Sequence, residues 1–197
     1  MSLIDTYFKK FDKPGRDKFK QLCSELGFEY GEPKRKDLMY DCHFTYKGKK
    51  YIVEIKDRSP KVEQYDSYII EKEQYDAIIA WRDKLDADGC YYVNFFGDKA
   101  YIFNLSDPRS TEHLEEQWMS WVTAIDPKKK TKKEVYKIDK RIARVYVLGT
   151  KKKPVKTTET ENQNSRQNDL NLEVIDLFHC RESCRVSDFT TYLVYVA

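Results

Sequence analysis

Asp41, Glu54 and Lys56 are residues whose types and spacing suit joint chemistry, and they share the run DCHFTYKGKKYIVEIK, residues 41–56. Two carboxylates placed side by side repel each other unless a cation lies between them. A hard divalent cation such as Mg²⁺ needs only one or two carboxylates, keeps several waters and completes its shell with a substrate phosphate. A lysine on the same face can orient or deprotonate one of those waters. These are the parts of metal-assisted phosphodiester hydrolysis.

The elements that must hold them are two strands and a turn. Leu38 to Tyr46 and Lys49 to Asp57 are rich in β-branched and aromatic residues and flank Lys47-Gly48, so the pattern predicts a β-hairpin. With the turn centred on Lys47-Gly48, Asp41 faces Glu54 directly, their side-chain bases roughly 5 Å apart. Lys56 follows Glu54 by two and projects on the same face. Alone, Glu-x-Lys also describes the solvated face of an amphipathic hairpin. The opposed acid and the apolar Ile52, Val53 and Ile55 separate the two readings, because they predict a strand covered on both faces.

From Gly15 to Leu105 the chain resembles the PD-(D/E)XK nuclease superfamily, and within it the archaeal-type Holliday-junction resolvases. Gly15-Arg16 opening a helix, Leu26-Gly27-Phe28 ending it, Asp41, then Glu54-Ile55-Lys56, and Gln74 on the next helix carry the resemblance. It implies an α/β fold, a restriction-endonuclease-like mixed β-sheet flanked by helices. It also implies Asp41, Glu54 and the Ile55 backbone carbonyl as metal ligands, Lys56 as the catalytic lysine, and Gln74 facing the cluster. Mg²⁺ is the implied cofactor, with Mn²⁺ able to substitute. Resolvases of this type cut two strands symmetrically, which implies a homodimer. The chain departs from the pattern twice: Tyr40 stands where the family usually has proline, and Phe19 stands near the place of a helix glutamate that assists the metal. Glu25 and Asp17 are the candidates to take that glutamate's part.

Periodicity supplies the remaining elements. A short amphipathic helix is expected over residues 1–12, broken by Pro14-Gly15 and followed by a helix from Arg16 to Leu26 and a strand from Phe28 to Tyr30. Ser67 to Lys84 reads as a helix, Cys90 to Phe96 and Ala100 to Leu105 as strands about Gly97-Asp98, and Glu112 to Ile125 as a helix. The order is α-β-β-β-α-β-β. Residues 1–125 then form the nuclease-like domain, 126–171 a basic and polar linker, and 172–197 a tail that can pack on the core.

The 197 residues have a net charge of only +3, so charge overall says little about partners. Its distribution says more: Asp126 to Lys156 holds thirteen Lys or Arg against three acids, a local balance of +10. Such clustering suits phosphate binding and equally a solvated tail or a localisation signal. Lys128, Lys129, Lys130, Lys132 and Lys133 are candidate nucleic-acid contacts, with Lys34, Arg35, Lys36 and Arg58 near the hairpin. Five cysteines in no small-scaffold spacing fit a reduced, intracellular setting, cytoplasmic or nuclear, rather than a secreted one. No signal peptide and no membrane-spanning stretch is expected.

Together these features predict an Mg²⁺-dependent endonuclease acting on DNA, with structured or junction DNA a candidate substrate. The alternatives are a non-catalytic nucleic-acid-binding or assembly protein on the same fold, and an RNA-cleaving endonuclease.

Overall fold

The computed structural model describes residues 12–33, 39–122 and 126–149, all within the unit Met1–Glu159. Helix α1 runs from Lys13 to Leu26. Pro14 and Gly15, expected to precede the helix, belong to its first turn, where a missing N–H goes unused and the fixed φ of proline suits the helix. Gly15 has a second reason to be there: a Cβ at this position would come within 2.9 Å of the Ile55 side chain, so α1 presses directly on the strand carrying the site.

Strands β1 (Glu29–Gly31), β2 (Cys42–Tyr46) and β3 (Lys49–Arg58) form an antiparallel meander. Lys47 and Gly48 take φ of 50° and 77°, the two positive values that a tight two-residue hairpin requires. The pairing is Cys42 with Val53 and Phe44 with Tyr51, the register expected from the sequence. After a short 3₁₀ turn come β4 (Ser67–Glu71) and helix α2 (Lys72–Lys84), and then β5 (Gly89–Phe96), which lies parallel to β3. Strand β6 (Lys99–Asn104) returns antiparallel to β5. The main sheet is thus mixed, in the order β1-β2-β3-β5-β6, with β9 (Arg144–Val147) added beyond β6. This is the mixed sheet flanked by helices anticipated above, its core order α-β-β-β-α-β-β intact once β4 is set aside.

Alternation sorts β3 between two cores. Val53 and Ile55 face α1, whose Lys18 also reaches Asp57, and there they join Phe19, Leu22, Phe44 and Phe95. Ile52 faces the other way, into a cluster with Tyr68, Ile70, Ile78, Tyr92, Phe103 and Ile138. Glu54, Lys56 and Arg58 therefore share Ile52's face. The site lies on a strand buried on both sides.

One expected helix starts five residues late, and another is a strand. Ser67 to Glu71 is strand β4, with Tyr68 and Ile70 buried alternately; the helix begins only at Lys72. Residues expected to form a helix from Glu112 to Ile125 contain β7 (Leu114–Val122) instead. The segment read as a basic linker begins with β8 (Asp126–Asp139), and β4, β8 and β7 make a second, antiparallel sheet. Leu114, Trp118 and Val122 recur every four residues and so imitate a helical stripe. The next strand, β8, decides the matter by pairing with β7 along its length, and the distant β4 completes the sheet on β8's other edge. Residues 150–171, the tail from 172 to 197, the expected N-terminal helix and Lys34-Arg35-Lys36 lie outside the described residues. Cys23, Cys42 and Cys90 are buried free thiols. Among the described residues no helix is long and apolar enough to cross a membrane.

Ile138 tests the strand assignment of β8, since it is fully buried in the core cluster. Ile138→Ala should cost about 2–5 kcal/mol of unfolding free energy by chemical denaturation. An unchanged midpoint would mean that this segment is a linker after all.

Candidate active site

Asp41 lies one residue before β2, and its N–H donates to Val53 O at 3.0 Å, which holds it beside the last pair of the ladder, Cys42 with Val53; the ladder itself does not continue to a pair of Asp41 with Glu54. The Asp41 carboxylate is held at both oxygens. Oδ2 accepts the Ile55 N–H at 2.8 Å, and Oδ1 accepts Arg16 Nη2 at 3.0 Å. Arg16, reaching across from α1, also donates to the Asp41 carbonyl. Glu54 is only 4 % exposed, and its Oε1 accepts Lys56 Nζ at 2.6 Å together with Gln74 Nε2 from the first turn of α2. Lys56 keeps 39 % of its side chain exposed. A covered carboxylate thus adjoins an ammonium group that solvent or a ligand can reach.

Burial pushes the Glu54 carboxyl up to about 8, and the neighbouring Asp41 pushes the same way; Lys56 opposes both without prevailing. For Lys56, burial pulls downward, but the attraction of Glu54 outweighs it and holds the ammonium more firmly protonated than usual. Asp12, directly before α1, is raised by burial and by Asp41, and it also senses Lys56 and Arg16. A third carboxylate therefore stands in the field of the site. Sequence reasoning missed it by assigning Asp12 to a preceding helix. The candidates named for that part are engaged elsewhere: Glu25 accepts from Tyr146 and the Gly149 N–H, and Asp17 pairs with Lys13. Phe19 is core, packed against Tyr30 and Phe44.

The donor set suits a hard cation. Asp41 and Glu54 supply oxygen ligands of the number Mg²⁺ needs, leaving the rest of its shell to water and substrate. Among the described residues no group of three or more His, Cys, Asp or Glu is arranged to hold a metal by itself. Ile55 presents its N–H, not its carbonyl, to Asp41.

Arg58 follows Lys56 along the same face, but its guanidinium is turned inward. It donates to Asn94 Oδ1, to Tyr92 Oη at 2.6 Å and to Ile69 O at 3.3 Å. Tyr92 and Asn94 pair in register with Glu54 and Lys56 on β5, so this network backs the site. A lone asparagine within the apolar strand β5 was the available signal, legible only with the β3–β5 register. His43 lies over Gly31 and edge-on to Tyr40, its imidazole pulled down by burial and by Lys50. The structure brings Asp41, Glu54, Ile55, Lys56 and Gln74 together. It places Lys128, Lys129, Lys130, Lys132 and Lys133 on β8, in the other sheet.

A carboxyl raised in the folded state binds its proton more tightly there than in the unfolded chain. The stability this contributes is complete below the unfolded value of 4.5 and is lost as pH rises through about 8. Metal-free protein should therefore lose stability across that window. Glu54→Gln should flatten the decline and be the more stable protein at pH 8, as followed by thermal melting in chelator.

No protein-family model matches the chain, and no curated protein matches it. Among solved structures, a Holliday junction resolvase from the archaeal hyperthermophile Archaeoglobus fulgidus is similar at 14 % identity and a TM-score of 0.42, over 66 % of this chain and 86 % of that one.

Proposed function

We propose that this chain is a divalent-metal-dependent endonuclease that hydrolyses phosphodiester bonds in DNA. The observation that carries the reading is the buried Glu54 interacting with the neighbouring Asp41 carboxyl, with Lys56 Nζ 2.6 Å from its own carboxylate. Adjacent acids destabilise a fold, and a structural role would be met as well by an apolar pair. Asp41 and Glu54 would hold Mg²⁺ or Mn²⁺. The ion would supply a polarised phosphoryl oxygen and an acidified water.

The side chains divide the remaining work. Gln74 and Lys56 both donate to Glu54 Oε1 and so fix which way its carboxylate turns. The Ile55 N–H fixes Asp41 in the same way. Lys56 is held as an ammonium by Glu54, so its part is to orient the attacking water and to meet the charge that develops on the phosphate, not to remove a proton. Arg58 positions the rear of the strand through Tyr92 and Asn94. The site would act on an intracellular nucleic acid, and symmetric cleavage of a branched substrate would require two copies of the chain.

One observation favours a second reading, a non-catalytic nucleic-acid-binding protein on the same fold. Arg16 donates to both the carboxylate and the carbonyl of Asp41, placing a built-in cation where a metal ligand is needed. Titration with Mn²⁺ by calorimetry separates the two. Binding that disappears in Asp41→Asn supports the nuclease, and no binding at all supports the alternative.

Purified protein with Mg²⁺ or Mn²⁺ should cut at least one of linear duplex, nicked, flap, single-stranded and four-way-junction DNA, with RNA as the comparison. Glu54→Gln should abolish both metal binding and cleavage. Lys56→Ala should keep metal binding and lose roughly 10²- to 10⁴-fold in the single-turnover rate, the usual scale for one group acting on the reacting water. Unchanged cleavage in both variants would refute the site.

A further inference from the structure

Strand β8 is fourteen residues long, but β4 pairs only with its last part, Val135 to Asp139. Ahead of that, β8 pairs with β7 alone, with Glu116 opposite Glu134, Trp118 opposite Lys132 and Ser120 opposite Lys130, up to Val122 opposite Asp126. The two strands therefore leave the sheet as a two-stranded ribbon roughly 20–25 Å long, at about 3.3 Å per residue. A register shift between Ser120 and Val122 marks a bulge near its tip, a feature that twists and bends a ribbon.

Alternation assigns the ribbon's faces. One face carries the exposed Lys130 and Lys132 from β8 and Trp118 and Ser120 from β7, with the acids Glu116 and Glu134 at its base; the exposed Lys128 follows in the irregular stretch toward the tip. Trp118 is 66 % exposed, the most exposed large hydrophobic side chain among the described residues. Lys132 is steadied by Glu116 at 3.0 Å and Lys130 by the Ser120 hydroxyl at 3.3 Å, so the ammonium groups are ranged along the strand beside the indole. An indole in water is costly when nothing covers it, and the lysines on the same stretch of ribbon disfavour a basic partner and one that offers no anionic group. A polyanion with flat, stackable faces fits both features.

The base of the ribbon adjoins the candidate active site. Lys133 bridges at 2.9 Å to Glu71, directly before α2, and the same turn of α2 sends Gln74 to Glu54.

We propose that the β7–β8 ribbon is a nucleic-acid-binding arm in which Trp118 stacks on an unpaired base while Lys128, Lys130 and Lys132 contact the flanking phosphates. This rests on the nuclease reading for its biological sense and deepens it: the preferred substrate is DNA with unpaired or splayed bases, such as a flap, gap or junction, over continuous duplex. Stacking needs an exposed ring face, which paired bases within a duplex do not offer. The phosphate contacts need only the backbone.

The test measures binding with chelator present, so that no cleavage intervenes, using labelled gapped and fully paired duplexes of equal length. Trp118→Ala should weaken gapped-duplex binding about 5- to 100-fold, the scale of one lost base–aromatic stack, and leave full-duplex binding within twofold. Trp118→Phe should restore most of the difference. Lys128→Gln, Lys130→Gln and Lys132→Gln combined should weaken both substrates and flatten the dependence of log affinity on log salt by up to about 3, at roughly 0.9 per duplex phosphate contact. Melting temperatures should stay at the parent's, because the altered side chains are exposed. Three results would overturn the arm: Trp118→Ala binding both DNAs like the parent, equal loss on both, or a parent dimer that Trp118→Ala converts to monomer in sedimentation. Cleavage is a separate axis. If no DNA is cut but Trp118→Ala shows the selective loss, the arm stands and the nuclease reading fails; cleavage with no selective loss has the reverse meaning.

Discussion

A carboxylate in a nearly closed position, with a second carboxylate across the hairpin, is the constraint on which the arrangement depends. Glu54 is buried because β3 is flanked by β2 and β5 within the sheet and covered on both faces. Burial makes its charge expensive, and Asp41 raises the cost further. What offsets the cost is local and directional: Lys56 and Gln74 at one Glu54 oxygen, and Arg16 with the Ile55 N–H at the two oxygens of Asp41. These donors come from α1, β3 and α2, so the site ties together the elements on both faces of the sheet.

Cation placement therefore carries the mechanism. Lys56 and Arg16 stand on different acids, Lys56 reachable from solvent and Arg16 largely covered. A metal ion seated between the carboxylates would compete with Arg16 for Asp41 and would pull the Glu54 carboxyl back toward its ionised form. Behind the acids, Arg58 is used as scaffold: its bonds to Tyr92 and Asn94 fill the buried polar positions of β5 that pair with Glu54 and Lys56. A guanidinium committed to three acceptors is poorly placed to bind substrate. On the proposed reading, phosphate contacts would fall to lysines elsewhere, such as those of β8.

The second sheet gives those lysines a frame. Had residues 126–139 been a flexible linker, their charge would act only through its mean field. As a strand they keep fixed spacing and alternate between two faces, one of which also carries Trp118. Charge density and an aromatic surface together give the ribbon a preferred kind of partner, which neither gives alone.

The hairpin and its three charged residues were legible from the amino-acid order because a tight turn at Lys47-Gly48 sets the register by itself, and register decides which side chains meet. Helix α1, the β5–β6 hairpin and the place of Gln74 were legible for the same reason: each follows from local periodicity and nearby turns. Strands β4, β7 and β8 were not. The β4–β8 ladder joins residues far apart in the chain, and the spacing of Leu114, Trp118 and Val122 satisfies a helix as well as a strand, so the local β7–β8 pairing was hidden too: the charged run of β8 carries no apolar alternation until Val135. The inward turn of Arg58, the approach of Asp12 to the acids and the covering of Glu54 likewise depend on contacts between distant segments. Sequence determined which chemistry was assembled, through short-range register; tertiary structure decided how deeply it was buried and where the basic surface stands, because burial and long-range pairing are properties of the whole packed chain.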